Sequence, residues 1–168
     1  MDAFRTFGPR RLSRFILPRE HATNRLPFPV PRDRALRHVL ASHWGFDIGA
    51  AALTRELARR MGAAAIAGRW SRLLIDLNRP VLDPTLVRDE AGGVRIPWNE
   101  SLSAGAVERR VLDYHAPFHA EVDRVILRHV VRGFRPTLIA VHSFTPRLGA
   151  SRRPFDAGIL FNAHARQA

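Results

Sequence analysis

The chain has 168 residues, 46% of them hydrophobic, so it is long enough for one domain with a buried core and short for two. It contains no cysteine, which excludes disulfides and thiolate chemistry and leaves histidine, carboxylate and amide groups as metal ligands. The net charge is +12, but every basic residue is an arginine and the arginines are scattered, a pattern that favours an anionic small molecule over nucleic acid.

The N-terminus has arginines but no apolar stretch long enough for a signal peptide, and no window of about 18 apolar residues is present. We therefore expect a soluble, cytoplasmic protein without a membrane or nucleic-acid partner. The oligomeric state stays open at this stage.

The first predicted elements are a strand over residues 14–18 (RFILP) and a helix that Asp33 caps and that ends near His43. A proline-rich loop, LPFPVP, separates them and cannot be helix or central strand. A second, alanine-rich helix is predicted from Asp47 to Arg60, closed at Gly62. The expected apolar face of this second helix is Leu53, Leu57 and Met61.

Two further strands are predicted over residues 63–67 and 72–77 (RLLIDL), followed by a Pro-, Gly- and Asp-rich excursion over residues 81–104. Residues 106–131 have a helical pattern that Pro117 should kink or split. The remaining predicted strands are a buried one in RPTLIAVHS, beginning at Thr137, and one over residues 155–161. This order predicts an α/β fold, a mixed sheet between helices in a three-layer α/β/α sandwich.

Polar side chains follow three of the predicted strands, at the edge where ligands bind in such sheets. Glu20-His21 follows the first, Asn78-Arg79 follows RLLIDL, and His142-Ser143 follows TLIAV. Two histidines and a carboxylate are a ligand set for a catalytic zinc. Asp47 is the preferred third ligand and Glu20 is its rival, since adjacent residues in extended backbone point to opposite faces.

Five ordered motifs extend across residues 15 to 164: REHATNRLP, SHWGFDIGAA, SRLLIDLNRP, ERRVLDYHAPFH and LIAVHSFTP. In this order and spacing they resemble the N-formylglutamate amidohydrolase family. The resemblance implies a phosphorylase/hydrolase-like sandwich, similar to zinc carboxypeptidases, and metal-dependent amide cleavage late in histidine degradation. It implies His21 and His142 as ligands of Zn²⁺ or another divalent metal. The His-x-x-Glu pair of carboxypeptidases is absent, because Asn24 stands three residues after His21, and the third ligand stays open.

The resemblance also implies a small-molecule carboxylate substrate. Arg79 is the preferred partner of that carboxylate, with Arg72 and Asn78 in support, because a guanidinium offers two parallel donors. The alternative is that Asp76 simply pairs with one of these arginines.

Helical residues 106–131 hold the remaining candidates. His119 is expected to line the pocket, whereas Pro117 disturbs its pairing with His115, which is interpreted as a solvated helix residue. Glu108 is the candidate general base or acid among the carboxylates of this sequence.

Members of the family continue beyond the HSFTP segment with further strands and helices, including a glutamate expected as the general base or acid. Residues 1–168 are therefore expected to form a single amidohydrolase-like domain that is C-terminally incomplete, a poor catalyst alone, with an exposed apolar edge at PFDAGILF. The alternative function is a catalytically impaired domain that acts only in binding or assembly.

Overall fold

The computed structural model describes residues 2–9 and 12–160, and eight strands occur in this part of the chain. They are β1 (Phe4–Phe7), β2 (Phe15–Arg19), β3 (Ala64–Gly68), β4 (Glu90–Ala91), β5 (Val94–Arg95), β6 (Thr137–Leu138), β7 (Arg147–Leu148) and β8 (Ser151–Arg152). Four of them form a mixed sheet in the order β1, β3, β2, β6, in which only the β1–β3 pair is antiparallel. β4 pairs with β5, and β7 with β8, as short antiparallel hairpins.

The helices begin and end at the residue types that helix termini prefer. They are α1 (Arg34–Ala41), α2 (Ala50–Met61), α3 (Ala104–Arg110) and α4 (Ala116–Val130). Asp33 caps α1 by accepting a hydrogen bond from the backbone N–H of Leu36 at 2.8 Å. Gly62 ends α2 with φ 58°, a left-handed conformation that glycine adopts without a steric penalty. Both termini were predicted from the sequence.

The sheet is covered on both faces, which confirms the predicted three-layer sandwich. In β2 and β3 successive side chains point to opposite faces. Ile16 and Ile66 pack with Phe118 of α4, whereas Leu17 and Ala65 pack on the other face against α2. The cores on the two sides of the sheet are therefore formed by alternate residues of the same two strands.

The predicted apolar face of α2 is wrong in part. The fully buried residues of this helix are Ala50, Thr54 and Ala58, while the side chain of Leu53 is 52% exposed. Leu57 and Met61 are partly buried beside Ala58. The helix is rotated so that its small residues face the sheet, because small side chains allow the helix backbone to approach the strands closely.

The predicted strand over residues 72–77 is also wrong, although its leucines and isoleucine are buried as expected. Turns replace the strand, and side chains bond its backbone carbonyls. Leu73 O accepts from Trp98 Nε1 and Asn99 Nδ2, and Leu74 O accepts from Arg110. Buried carbonyls need partners, but those partners need not belong to a neighbouring strand.

The helical segment around Pro117 is interrupted, as predicted, by a π-helical turn at Val111–His115 directly before α4. Pro117 lies in the first turn of α4, directly after the π-helical turn, where the regular i to i−4 hydrogen-bond pattern is already broken.

The predicted strand in TLIAV is shorter and more exposed than expected. Only the two-residue strand β6 is assigned there. It is an edge strand of the sheet, and Leu138 is 45% exposed. Residues 155–160 form no strand, and Phe161 lies outside the described residues. Ile159 and Leu160 are exposed. In the part of the chain that the structure describes, no helix is long and apolar enough to cross a membrane.

Candidate metal centre

His21 lies just beyond the carboxyl end of β2 and is buried. Its Nε2 is 2.6 Å from Asp76 Oδ1. Its Nδ1 is also buried, has no hydrogen-bond partner among the described residues, and lies 3.5 Å from Asp47 Oδ1. An imidazole held by a carboxylate at one nitrogen, with the other nitrogen free, has the arrangement typical of a metal ligand.

Asp47 comes from the turn before α2 and is held by the neighbouring strand end. Its backbone N–H donates to His21 O at 3.1 Å. The guanidinium of Arg19, a fully buried residue, donates to Asp47 Oδ2 and Asp47 O at 3.1 Å each, to His21 O at 3.0 Å, and to Val141 O at 2.7 Å. Arg19 thus joins the three segments that carry the candidate ligands.

His142 follows β6 after an irregular extended segment, and its Nδ1 is 2.8 Å from Asp47 Oδ2. The rings of His142 and His21 lie edge to face with centroids 5.5 Å apart. His21, Asp47 and His142 each offer a ligand atom within 4.8 Å of the others. The predicted set is therefore assembled in one place, from segments distant in the sequence.

The protonation of this cluster follows from its charges. Burial alone raises the pKa of Asp47, but the hydrogen bond from His142 and the approach of His21 outweigh burial and hold that pKa well below its usual range. Burial likewise opposes ionisation of Asp76, yet His21 and Arg72 lower its pKa to about 2. Burial lowers the pKa of His21, but Asp47 and Asp76 outweigh burial and raise it. Asp47 and Asp76 are therefore both ionised, one at each nitrogen of the His21 ring.

Glu20, the rival ligand, is also buried at this site. Its Oε2 lies 3.5 Å from His142 Nε2 and has no hydrogen-bond partner among the described residues. The argument that adjacent residues point apart holds for β2, but Glu20 and His21 lie beyond the strand end, where the backbone turns. Glu20 therefore lies beside the same cluster, next to the imidazole ring of His142.

The three residues predicted to bind a substrate carboxylate differ in how far their own contacts occupy them. Arg72 Nη2 is 2.6 Å from Asp76 Oδ2, so the pairing considered as the alternative role is present. Asn78 donates its backbone N–H to Asp76 Oδ1. Arg79 is 40% exposed, and its nearest acid, Asp83, is 3.7 Å away. The guanidinium of Arg79 is therefore the most available for a ligand.

The two histidines of the interrupted helix support the Asn78 loop. His119 Nε2 is 2.9 Å from Leu77 O, and His115 Nε2 is 2.9 Å from Arg79 O. The interpretation of His115 as solvated is wrong, since it is buried and its ring lies 4.4 Å from that of His119. Glu108 is exposed on α3, and no hydrogen bond or ion pair within residues 12–160 joins it to the candidate ligands.

Arg19 and Asp76 are the site residues that sequence reasoning did not assign to the metal centre. An arginine that directly follows the apolar run FILP and precedes Glu20-His21 is a signal that could have been used, because a guanidinium buried with that strand requires several acceptors. Asp76 was interpreted only as a partner of arginine, and its contact with His21 depends on tertiary structure.

A model of the N-formylglutamate amidohydrolase family matches residues 13–168. The chain belongs to this family. Among curated protein sequences none is significantly similar to it.

Two solved structures share this fold. Gene product Atu2144 of Agrobacterium tumefaciens has 28% identity and a TM-score of 0.84, with 91% of this chain and 61% of that chain covered. The N-formylglutamate amidohydrolase of Ralstonia eutropha JMP134 has 18% identity and a TM-score of 0.67, with 86% and 58% covered. The chain therefore spans about three fifths of the length of these structures. Because its identity is only 18%, the second structure supports the fold alone.

Proposed function

We propose that this protein is a metal-dependent amidohydrolase that cleaves the N-formyl amide, or a related N-acyl amide, of glutamate or a similar amino acid. The observation that carries the proposal is the convergence of His21, Asp47 and His142 in a member of this amidohydrolase family. Such an activity belongs to the degradation of histidine in the cytoplasm.

The metal would be Zn²⁺ or another divalent ion held by His21 Nδ1, a carboxylate oxygen of Asp47 and His142. The donor set fits zinc, since it consists of two imidazoles and one carboxylate, and the unpartnered Nδ1 of buried His21 is the orphaned atom that a metal would satisfy. When bound, the ion supplies Lewis acidity at the amide carbonyl and lowers the pKa of water. Asp76 keeps the His21 ring oriented.

The reaction also needs a group that accepts a proton from water and passes it to the leaving nitrogen. Glu20 is the carboxylate that the geometry supports, because its unpartnered Oε2 faces His142 Nε2 at 3.5 Å. Glu108, the candidate from the sequence, is exposed on α3. Comparing Glu20→Gln with Glu108→Gln separates the two assignments, since only the substitution that removes the general base should lower kcat by about 10²- to 10⁴-fold.

The substrate carboxylate would be held by Arg79, with Asn78, Arg72 and His119 in support. Arg72 already pairs with Asp76, and His119 bonds Leu77 O, so we assign them to positioning the loop that carries Asn78 and Arg79. The guanidinium of Arg79 can present two donors to one carboxylate.

The metal proposal is tested by zinc calorimetry and by formate release from N-formylglutamate, using the 168-residue chain. His21→Ala and His142→Ala should each lose most of the zinc affinity. His38→Ala, an exposed histidine on α1, is the matched control and should behave as the parent. Unchanged zinc affinity in both site variants would rule out this centre. Zinc binding with little formate release would agree with the expectation that residues 1–168 alone are a poor catalyst.

The carboxylate proposal is tested with Arg79→Lys and the binding of glutamate. Lysine keeps the charge but loses the planar pair of donors, so affinity should fall by about 1 to 2 kcal/mol. Arg37→Lys, at an exposed site on α1, serves as the control. If the Arg79 variant binds glutamate as tightly as the parent, another residue holds the carboxylate.

A further inference from the structure

A cavity of about 350 Å³ lies on the α2 side of the sheet, apart from the candidate ligands, and arginines dominate its lining. Among the described residues, no aspartate or glutamate lines it. The arginines are Arg5, Arg19, Arg25, Arg55 and Arg69.

The sheet register explains why these arginines meet. Arg5 of β1 and Arg19 of β2 are both paired with Ala67 of β3, so the three side chains point to the same face in one row across the sheet. The small alanine leaves space between the two arginines. From α2, Ala51 and Arg55 line the opposite wall one helical turn apart.

The charge in this cavity is only partly neutralised. Arg19 is paired with Asp47, and Arg69 Nη1 is 2.6 Å from Asp2 Oδ2. Arg5, Arg25 and Arg55 form no ion pair with any residue of the described ranges 2–9 and 12–160. Three positive charges thus surround a concave surface without a matching acid.

We propose that this arginine-lined cavity binds a phosphoryl group, either free or as part of a nucleotide. A carboxylate has two coplanar oxygens and one charge, which a single guanidinium already matches. Three unpaired guanidinium groups from β1, the loop after β2, and α2 instead fit a group with three or more oxygens and two charges. The cavity volume is in the range of small-molecule sites.

The site lies behind the candidate metal centre and not in it. Arg19 is the shared wall, since it lines the cavity and its guanidinium contacts Asp47. None of His21, Asp47 and His142 lines the cavity. The proposal therefore stands whether or not the metal centre is catalytic.

The test is calorimetric titration of pyrophosphate, ADP and succinate into the chelator-treated 168-residue chain, so that no metal competes for the anion. We expect saturable binding of pyrophosphate that Arg25→Gln and Arg55→Gln each weaken about tenfold, the loss of one charge-assisted contact. The control Arg37→Gln removes the same charge from α1 and should change affinity less than about twofold. ADP that binds more tightly than pyrophosphate identifies a nucleotide as the source, and equal affinity identifies free phosphate.

Equal weakening by Arg37→Gln would overturn the proposal, because it would show that net charge alone attracts the anion. Absence of saturable pyrophosphate binding, or succinate binding of equal strength, would overturn it as well. Both cavity variants lie at exposed positions, and circular dichroism checks that they fold.

Discussion

At the scale of single residues, the candidate metal centre is a set of polar side chains, most of them buried, that hold one another in place. His21 lies between the carboxylates of Asp47 and Asp76, and Arg19 donates hydrogen bonds to the backbone carbonyls of His21 and Asp47. Each group would be costly to bury alone, so the loss of one leaves its partners uncompensated. Because of this coupling, substitution of residues that are not candidate ligands should also change metal binding or stability.

Asp76→Ala should weaken zinc binding by about 10- to 100-fold, because Asp76 orients the His21 ring from behind. Isothermal titration with zinc measures this effect. Asp123→Ala, which removes an exposed acid from α4, is the matched control and should leave the affinity unchanged. Equal affinity in both variants would show that Asp76 has no role in the centre.

Arg19→Met should lower the free energy of unfolding by about 3 to 5 kcal/mol, since it removes the buried cation that pairs with Asp47 and the guanidinium donors to three backbone carbonyls. Urea denaturation measures the change. The exposed Arg37→Met should change the stability by less than about 0.5 kcal/mol. A small loss for the Arg19 variant would mean that water replaces its contacts.

At the scale of elements, the structure shows which face of each helix is used. α2 packs its small residues on the sheet, and the interrupted helix uses two histidines to hold the loop at residues 77–79. His115 and His119 thus support the irregular segment at residues 77–79 from the helix side.

Ala58→Leu should destabilise the protein by about 1 to 3 kcal/mol, because Ala58 is buried against the sheet and has no space for a larger side chain. Leu53→Ala, on the exposed side of α2, should change stability by less than about 0.5 kcal/mol. Thermal denaturation of both variants provides the comparison. The opposite ranking would mean that α2 packs through Leu53.

His115 should make the stability depend on pH. Burial lowers its pKa below the usual value, although its bond to Arg79 O acts the other way. Below about pH 6.5 the unfolded chain binds this proton more readily than the folded chain, so His115 destabilises the fold progressively as the pH falls. The free energy of unfolding, measured between pH 8 and 5, should fall less for His115→Gln than for the parent. Parallel curves would contradict this prediction.

At the scale of the whole molecule, the metal centre joins segments from across the chain. His21, Asp47, Asp76 and His142 are separated by up to 121 positions (142 minus 21) and meet beyond the carboxyl ends of the parallel strands. A ligand that binds only this assembled arrangement must stabilise the entire fold.

Zinc at about 100 times its dissociation constant should stabilise the folded chain by about 2.7 kcal/mol. Differential scanning calorimetry with zinc and then with chelator measures the gain and its reversal. His142→Ala should retain the fold but show little gain. A gain of equal size in that variant would place the metal elsewhere.

The sequence by itself determined the layered α/β class, the beginning of α1, the end of α2, and the histidines that follow strands. These features depend on local signals: capping residues, β-branched runs, and polar groups next to apolar ones. Only the tertiary structure decided that RLLIDL is a buried turn, that β6 is an exposed edge and that Asp76 faces His21. A buried strand and a buried turn have the same apolar composition, so the sequence pattern of RLLIDL cannot distinguish them. The difference lies in the donors to the backbone carbonyls, which here are the side chains of Trp98, Asn99 and Arg110, far along the chain.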